Sequence, residues 1–551
     1  VLKISNKGLI IRNARIVDSQ DMSIKKGDIE ISGTKIRAIG DIPERGVKEI
    51  DAKGSYAIPG LMDAHVHIES SLLEPTHFGS IVSAHGTTSV IADCHEICNV
   101  IGIEGLRLFI KKTEDMLLGT FFAVPSCVPA SPLGTSGAVM GPKEVREGLM
   151  MDQVVALGEV MDYPGVIERR KDIMEKIQDA AGKTINGHAP GLRGQMMRNY
   201  FDAGIMDDHE SFSYEEMAEK ADYGAMIFLR EGSAESTDDK CYSMIESHPD
   251  NVCFCSDDKS ASDIAKGGSI LYNLNKAIRL GHDPLTSIRC ATYNCAGHYG
   301  LADELGNIRP GLRADFFLSR SLGRIRPQAV VCRGELVFSG GKRLGRLDKP
   351  DYPQNALETI RHRPISEDDI SKKQNSGNII IAKDGSLETG WEKDPDAPEI
   401  EPDSDILKIV VIERYHENGN ISVGKIKGFG IRDGAIGSTV SHDCHNIVVV
   451  GSSNEQIVKV ANHLINENGG LAVFGQKTGM ICLPLPLAGL MSLEPSGKVI
   501  AKTMELERAA KKIGCRMRSP FATLSFMALE VIPKLKITDK GLVDVEKFRI
   551  I

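Results

Sequence analysis

At 551 residues the chain is longer than one ordinary domain, so one large core and at least one further domain are expected. Hydrophobic content of 41%, charged content of 26% and a net charge of -9 without any basic block fit a soluble globular protein and argue against a nucleic-acid or polyanion partner. No run is apolar for the length of a membrane span, and the opening "VLKISNKGLIIRNARIVD" lacks a signal-peptide core. The 12 cysteines are scattered without a CxxC pair and read as reduced thiols, so a cytoplasmic protein is expected.

In chain order, residues 8–57 read as short strands with glycine-rich turns: "GLIIRNARIVD", "GDIEISGTKIRAIG", "KEIDAKGSYAIPG". Similar text returns at 306–345 in "GNIRPGLRADFFLS" and "QAVVCRGELVFSGGKRLG". The two pieces are expected to form one small β-sandwich, 1–57 with 306–350, interrupted by a large insert. The insert, 58–305, alternates strand and helix signals. Its strands are "AIPGLMDAHVH", "TTSVIADCHE", "TFFAVPSCVP", "VVALGEVMDY", "KTINGHAPG", "AGIMDDHES", "YGAMIFLREGS" and "NVCFCSDDKS". Eight near-continuous apolar strands with intervening helices predict an α/β fold, a (β/α)8 TIM barrel with its site at the C-terminal rim. "HRPISEDDISKKQNSG" and "GWEKDPDAPEIEPDSD" are polar, charged and proline-containing, like a boundary. The text from 406 onward reads as α+β, and 351–551 is expected to be a separate C-terminal domain.

The strand ends carry the chemistry. His65 and His67 in "GLMDAHVHIESS" are two residues apart, so on a strand both rings face one way. Glu159 ends the fourth strand, His188 the fifth, His209 the sixth and Asp257 the eighth. Together they place four imidazoles and two carboxylates on one rim. A carboxylate can bridge two divalent ions while histidines cap each side. A binuclear site of a mixed N/O kind that suits Zn²⁺, Mn²⁺ or Fe²⁺ is therefore expected. For any one of these residues a rim or core position explains it as well; the coincidence of all of them on the predicted ends carries the reading.

The order HxH, carboxylate, His, His, Asp on a barrel inserted in a β-sandwich resembles the amidohydrolase superfamily. Within it, "GLMDAHVHIESSLLEP", "GTTSVIADCHEICNVIG", "VPSCVPASPL", "GEVMDYPGVI", "NGHAPGLRG", "DDHES", "FLREGS" and "FCSDDK" resemble the adenine deaminase family. "SHDCHNIVVVG" and "LPLPLAGLMS" are similar to that family's additional C-terminal domain. Glu159 stands where many amidohydrolases carry a modified bridging lysine, as fits that family. The resemblance implies a purine-salvage enzyme that hydrolyses adenine to hypoxanthine and ammonia. A homo-oligomer with a small-molecule substrate, and with neither nucleic acid nor membrane as partner, is expected.

That chemistry needs a strong nucleophile and protons for the ring and the departing nitrogen. A divalent ion acidifies water enough to supply the first. Asp257 is placed both to ligate and to accept the water's proton. His95 and Glu96, at the end of the second strand, are candidates for the other protons; Glu96 reads equally as a carboxylate at a helix N-terminus. Glu69 and Ser70 either hold the second ion, orient the purine edge or cap a helix starting near 71. Arg230 and Glu231 either contact the base or tie the rim by an ion pair. Asp258 reads as support for the ligands. His442 and His445 read as domain packing or a lid near the barrel mouth, in preference to a separate metal site.

Two rival classes remain open on the letters. One is another hydrolase of the same fold: an N-acetylhexosamine-6-phosphate deacetylase, which needs cationic side chains for phosphate, or a cyclic amide hydrolase, which usually carries the modified lysine. The other is a non-catalytic barrel scaffold, against which the full ligand set argues.

Overall fold

The computed structural model describes residues 8–233, 235–345, 347, 349–371 and 377–551. Eight parallel strands build the central barrel: Leu61–Val66, Thr87–Asp93, Gly119–Val124, Val154–Val160, Thr184–Gly187, Asp207–Asp208, Met226–Arg230 and Val252–Cys255. The first five form one sheet and the last three another. Hydrogen bonds close both seams. Met206 N–H donates to the Ile185 carbonyl at 2.9 Å, and Asp257 N–H donates to the His65 carbonyl at 3.0 Å. The sixth strand shrinks to two residues, although its text predicted more. Helices cover the outside, so the strands are buried on both faces and read as apolar runs. All seven residues of Thr87–Asp93 are buried.

The β text on the two sides of the insert is joined by strand pairing. Phe316–Ser319 pairs antiparallel with Tyr56–Pro59, drawing strands from both sides of the insert into one nine-stranded sheet. Ile11, Ile16, Ile29, Ile31, Phe316, Leu318 and Val331 share its core. The C-terminal part is an α+β unit around an eight-stranded sheet. In its strand Leu407–Ile412, alternate residues serve two cores. Val410 and Ile412 pack with Ile457, Val460 and Leu464 of the helix Asn454–Asn466. Leu407, Ile409 and Val411 join an apolar cluster that continues into the barrel through Val90, Phe122 and Leu157. The C-terminal unit is thus docked on the barrel by a continuous core.

Two local expectations are corrected. "GWEKDPDAPEIEPDSD" does not open as a boundary: it starts inside Thr389–Lys393, the edge strand of the C-terminal sheet. The first barrel helix does not begin near 71. It runs Pro75–Ala84 and is capped by Glu74, whose carboxylate accepts the His77 and Thr76 N–H groups. Residues 372–376 of "HRPISEDDISKKQNSG" lie outside the described residues. All 12 cysteines are free thiols. Among the described residues no helix is long and apolar enough to cross a membrane.

Candidate active site

The first strand is irregular where it matters. Its register against the second strand shifts between Asp63 and Val66, a kink of the kind that re-aims side chains beside active sites. Beyond it, His65 Nε2 and His67 Nε2 lie 3.1 Å apart. His67 Nδ1 is 3.0 Å from the Asp93 carbonyl, which can only accept, so Nδ1 carries the proton. His67 Nε2 nevertheless sits 3.0 Å from Asp257 Oδ1. A bare nitrogen against a carboxylate demands a positive charge between them, either a second ring proton or a metal ion. The electrostatics agree. Burial and His95 pull the His67 pKa down, yet Asp257 and Asp258 hold it well above the ordinary value.

Glu159 spans the two halves of the cluster. Its Oε2 is 2.8 Å from His188 Nδ1 and 3.2 Å from His209 Nε2. Its Oε1 is 3.7 Å from His67 Nε2 and 3.4 Å from His95 Nδ1. Burial lowers the His209 pKa, but Glu159, Asp257 and Glu210 together hold it at about 9. The ligand atoms of His65, His67 and Glu159 lie within 4.8 Å of one another, as do those of His65, His209 and Asp257, and of Glu159, His188 and His209. Overlapping imidazole–carboxylate groups of this kind fit a divalent metal centre.

Asp257 takes a left-handed backbone, φ 51°, uncommon outside glycine, as it leaves the last strand. Its Oδ2 accepts from Arg230 Nη1 at 2.7 Å. Burial raises its pKa, but His65, His67 and Arg230 overcome that and keep the carboxylate ionised. Arg230 also pairs with Glu210 and Glu235. Glu210 in turn lies 3.6 Å from His209 Nε2 and 4.0 Å from His188 Nδ1.

Asp93 ties three strand ends together. Its carbonyl meets His67, its Oδ1 accepts the His95 N–H at 3.2 Å, and its Oδ2 accepts the Glu159 N–H at 3.0 Å. That carboxylate lies over Gly158, where an added Cβ would come within 2.3 Å of Asp93 Oδ2. Gly158→Ala should therefore displace Asp93 and destabilise the fold by about 1–3 kcal/mol. Thermal denaturation showing an unchanged midpoint would contradict this.

The remaining expected residues divide. Glu69 is buried at 3% exposure, with Oε1 accepting the Ile97 N–H at 3.2 Å and Oε2 unpartnered; burial pushes its pKa up to about 7. Ser70 donates to Asp258. Neither caps the helix at Pro75. Arg230 belongs to the cluster as described. Glu231 instead accepts from Tyr242 at 2.8 Å and pairs with Lys276 at 2.6 Å, which is the rim-tying alternative. Glu96 opens the helix His95–Ile101, and its carboxylate meets two side chains of the C-terminal unit, His442 Nδ1 at 2.5 Å and His445 Nε2. The reading of the sequence missed Glu210, although it directly follows His209 in "DDHES", and Asp93 in "DCHE".

The family model "Amidohydrolase family" matches residues 56–337, and "Adenine deaminase C-terminal domain" matches 383–549. The chain is 38% identical to an adenine deaminase of Dehalococcoides mccartyi over 98% of this chain and 96% of that one. It is 39% identical to one from Desulfatibacillum aliphaticivorans, again over 98% and 96%. This chain belongs to the adenine deaminase family. A further adenine deaminase, from Archaeoglobus fulgidus, is 38% identical over 98% of this chain and 94% of that one. Membership spans barrel and C-terminal unit alike, and with the amidohydrolase fold comes a divalent metal, which the donor groups above fit.

Proposed function

We propose that the chain hydrolyses adenine to hypoxanthine and ammonia. The observation that carries this is the double-sided contact of Glu159, between His67 and His95 on one oxygen and His188 and His209 on the other, in a chain homologous to adenine deaminases over 98% of its length. His65, His67 and Asp257 would hold one ion, His188 and His209 a second, with Glu159 between them; Mn²⁺ or Fe²⁺ is favoured and Zn²⁺ is the alternative. When bound, the divalent ions act as Lewis acids that make water a nucleophile near neutral pH.

The chain's own residues manage the protons. Asp257, kept ionised by Arg230 and the histidine pair, accepts the proton of the attacking water as the oxygen bonds to C6. His95 sits beside Glu159 and under Glu96, its Nε2 3.5 Å from Glu96 Oε1. Burial lowers its pKa, but Glu96 and Asp93 hold it well above the usual imidazole value, so it carries a proton to give. That proton goes to the ring nitrogen, the proton on Asp257 leaves with the amine as the C6–N bond breaks, and the hydroxyl proton remaining on the C6 oxygen returns to His95 as the carbonyl forms. Glu69, with one buried oxygen unpaired, is placed to read a purine N–H edge.

Arg230 is held by Glu210, Glu235 and Asp257, so it is not free for the phosphate a hexosamine-phosphate deacetylase must bind. The division 1–57 with 306–350, 58–305 and 351–551 would separate scaffold, chemistry and closing unit. Buried free thiols fit a cytoplasmic setting. Incubation with adenine should deplete its absorbance and release equimolar ammonia; metal-loaded protein that releases none would refute the reading. His95→Ala should keep its metal while turnover falls by about 10²-fold or more. Loss of metal in that variant would make His95 a ligand instead.

A further inference from the structure

The contact between Glu96 and the loop at 441–445 joins residues 349 positions apart in sequence. Both partners are sealed from solvent: Glu96 is 2% exposed, His442 8% and His445 1%. The His445 ring is fixed as a donor. Ser441 N–H donates to His445 Nδ1 at 3.3 Å, which leaves the proton on Nε2, the atom facing Glu96 Oε2. His442 takes the other oxygen, Oε1, which is also the oxygen nearest His95. The loop itself is held on several sides. The His442 ring stacks on Phe526 at 4.7 Å, the His442 backbone N–H donates to the Ser525 carbonyl at 3.0 Å, Tyr415 OH donates to the Cys444 carbonyl at 2.6 Å, and Asn446 donates to the Thr135 carbonyl at 2.9 Å.

Such an arrangement is poorly explained as packing. A buried, charge-assisted contact adds little stability that apolar side chains of the same volume would not, while it fixes a carboxylate in one orientation. Glu96 lies one residue from His95, whose ring packs against His67 at 4.6 Å. Its orientation therefore sets the proton donor of the proposed reaction.

We propose that His442 and His445 are positioning residues for Glu96, so that the C-terminal unit is a working part of the active site and not only a cover. This rests on the reading that His95, held protonated beside Glu96, gives its proton to the substrate. The geometry also chooses the conservative replacements. An Asn amide nitrogen falls near the position of a histidine Nδ1, as His442 uses, and a Gln amide nitrogen near Nε2, as His445 uses.

The test measures kcat and KM for adenine, and metal content, in His442→Leu, His445→Leu, His442→Asn, His445→Gln, Glu96→Gln and the doubles combining Leu with Glu96→Gln. In the Leu variants kcat should fall by about 10- to 100-fold, the scale of a catalytic group displaced by an ångström. KM and metal content should stay near those of the parent. Asn at 442 and Gln at 445 should restore most of the loss. On the Glu96→Gln background the Leu changes should cost nothing more, because they act through Glu96. Leu variants that turn over like the parent, while Glu96→Gln is impaired, would overturn the inference and leave the deaminase reading standing. Full multiplication of the two effects would also overturn it, marking a packing role. Parent-like turnover in Glu96→Gln would remove Glu96 from the chemistry and the inference with it. Should the Leu variants fail to fold, His442→Gln and His445→Asn keep a polar side chain but move the donor off the carboxylate; parent-like kcat there overturns the proposal equally.

Discussion

Replacing Asp257 by Asn is expected to leave most of the metal in place while adenine turnover falls by about 10²- to 10⁴-fold, the range of a lost general base. The substitution keeps the volume and one oxygen donor. It removes the negative charge and the basicity. Asp257 Oδ1 faces His67 Nε2 at 3.0 Å, so the amide oxygen can still point at the cluster. Arg230 Nη1 meets the other oxygen at 2.7 Å, and there the Asn amide would place its own N–H₂ against a donor or flip. Metal analysis beside steady-state turnover reads both consequences in one preparation. Metal retained with turnover near normal would pass the proton to another carboxylate. Glu96 and Glu210 are then the first to test, since Glu231 is engaged by Lys276 and Tyr242.

His65→Ala or His67→Ala should instead lose metal and turnover together. The two Nε2 atoms lie 3.1 Å apart and both face Asp257 Oδ1, but His65 stacks on His209 whereas His67 faces Glu159, so neither can replace the other. A lost ligand of this kind is not made good by solvent without loss of geometry. The Glu159→Gln variant adds a distinction. Its carboxylate contacts histidines on both sides, so its neutralisation should weaken both metal positions, whereas the single histidine changes should weight one. Full metal content and parent activity in either histidine variant would remove that residue from the ligand set.

The histidine pair was legible because strand periodicity is local: two residues apart means one face, and the register shift at the strand end does not undo it. Glu159, His188, His209 and Asp257 were legible because each ends an apolar run, and barrel strands end at one rim. The joining of 56–59 with 316–319 was foreshadowed only as a recurrence of β text; the pairing itself is a long-range event. Glu210 and Asp93 were passed over because an acidic residue beside a ligand looks like any other rim charge until its partners are known. The Glu96 contact lay further out of reach. "SHDCH" shows two histidines three apart in a loop, and nothing in those letters names a partner in another unit. The start of the first barrel helix lies later than the letters suggest because Ser70 suits a cap, whereas Glu74 before Pro75 takes that place.

The seam between the first and last barrel strands has a consequence for how the protein is made. The hydrogen bonds that stitch it run from Asp257 N–H to the His65 carbonyl and from His67 N–H to the Asp257 carbonyl, so its stitches and the donors proposed for one of the two ions come from the same three residues. A nascent chain releases the histidine pair early and Asp257 only after the other strands. A half-synthesised barrel therefore offers imidazoles with no closing carboxylate and no fixed spacing. Full affinity for the ion arises only with the last strand in place, and capture of the ion then favours the closed ring over its unzipped form. On the proposed ligand set, a barrel that fails to shut would also be one that fails to hold the metal.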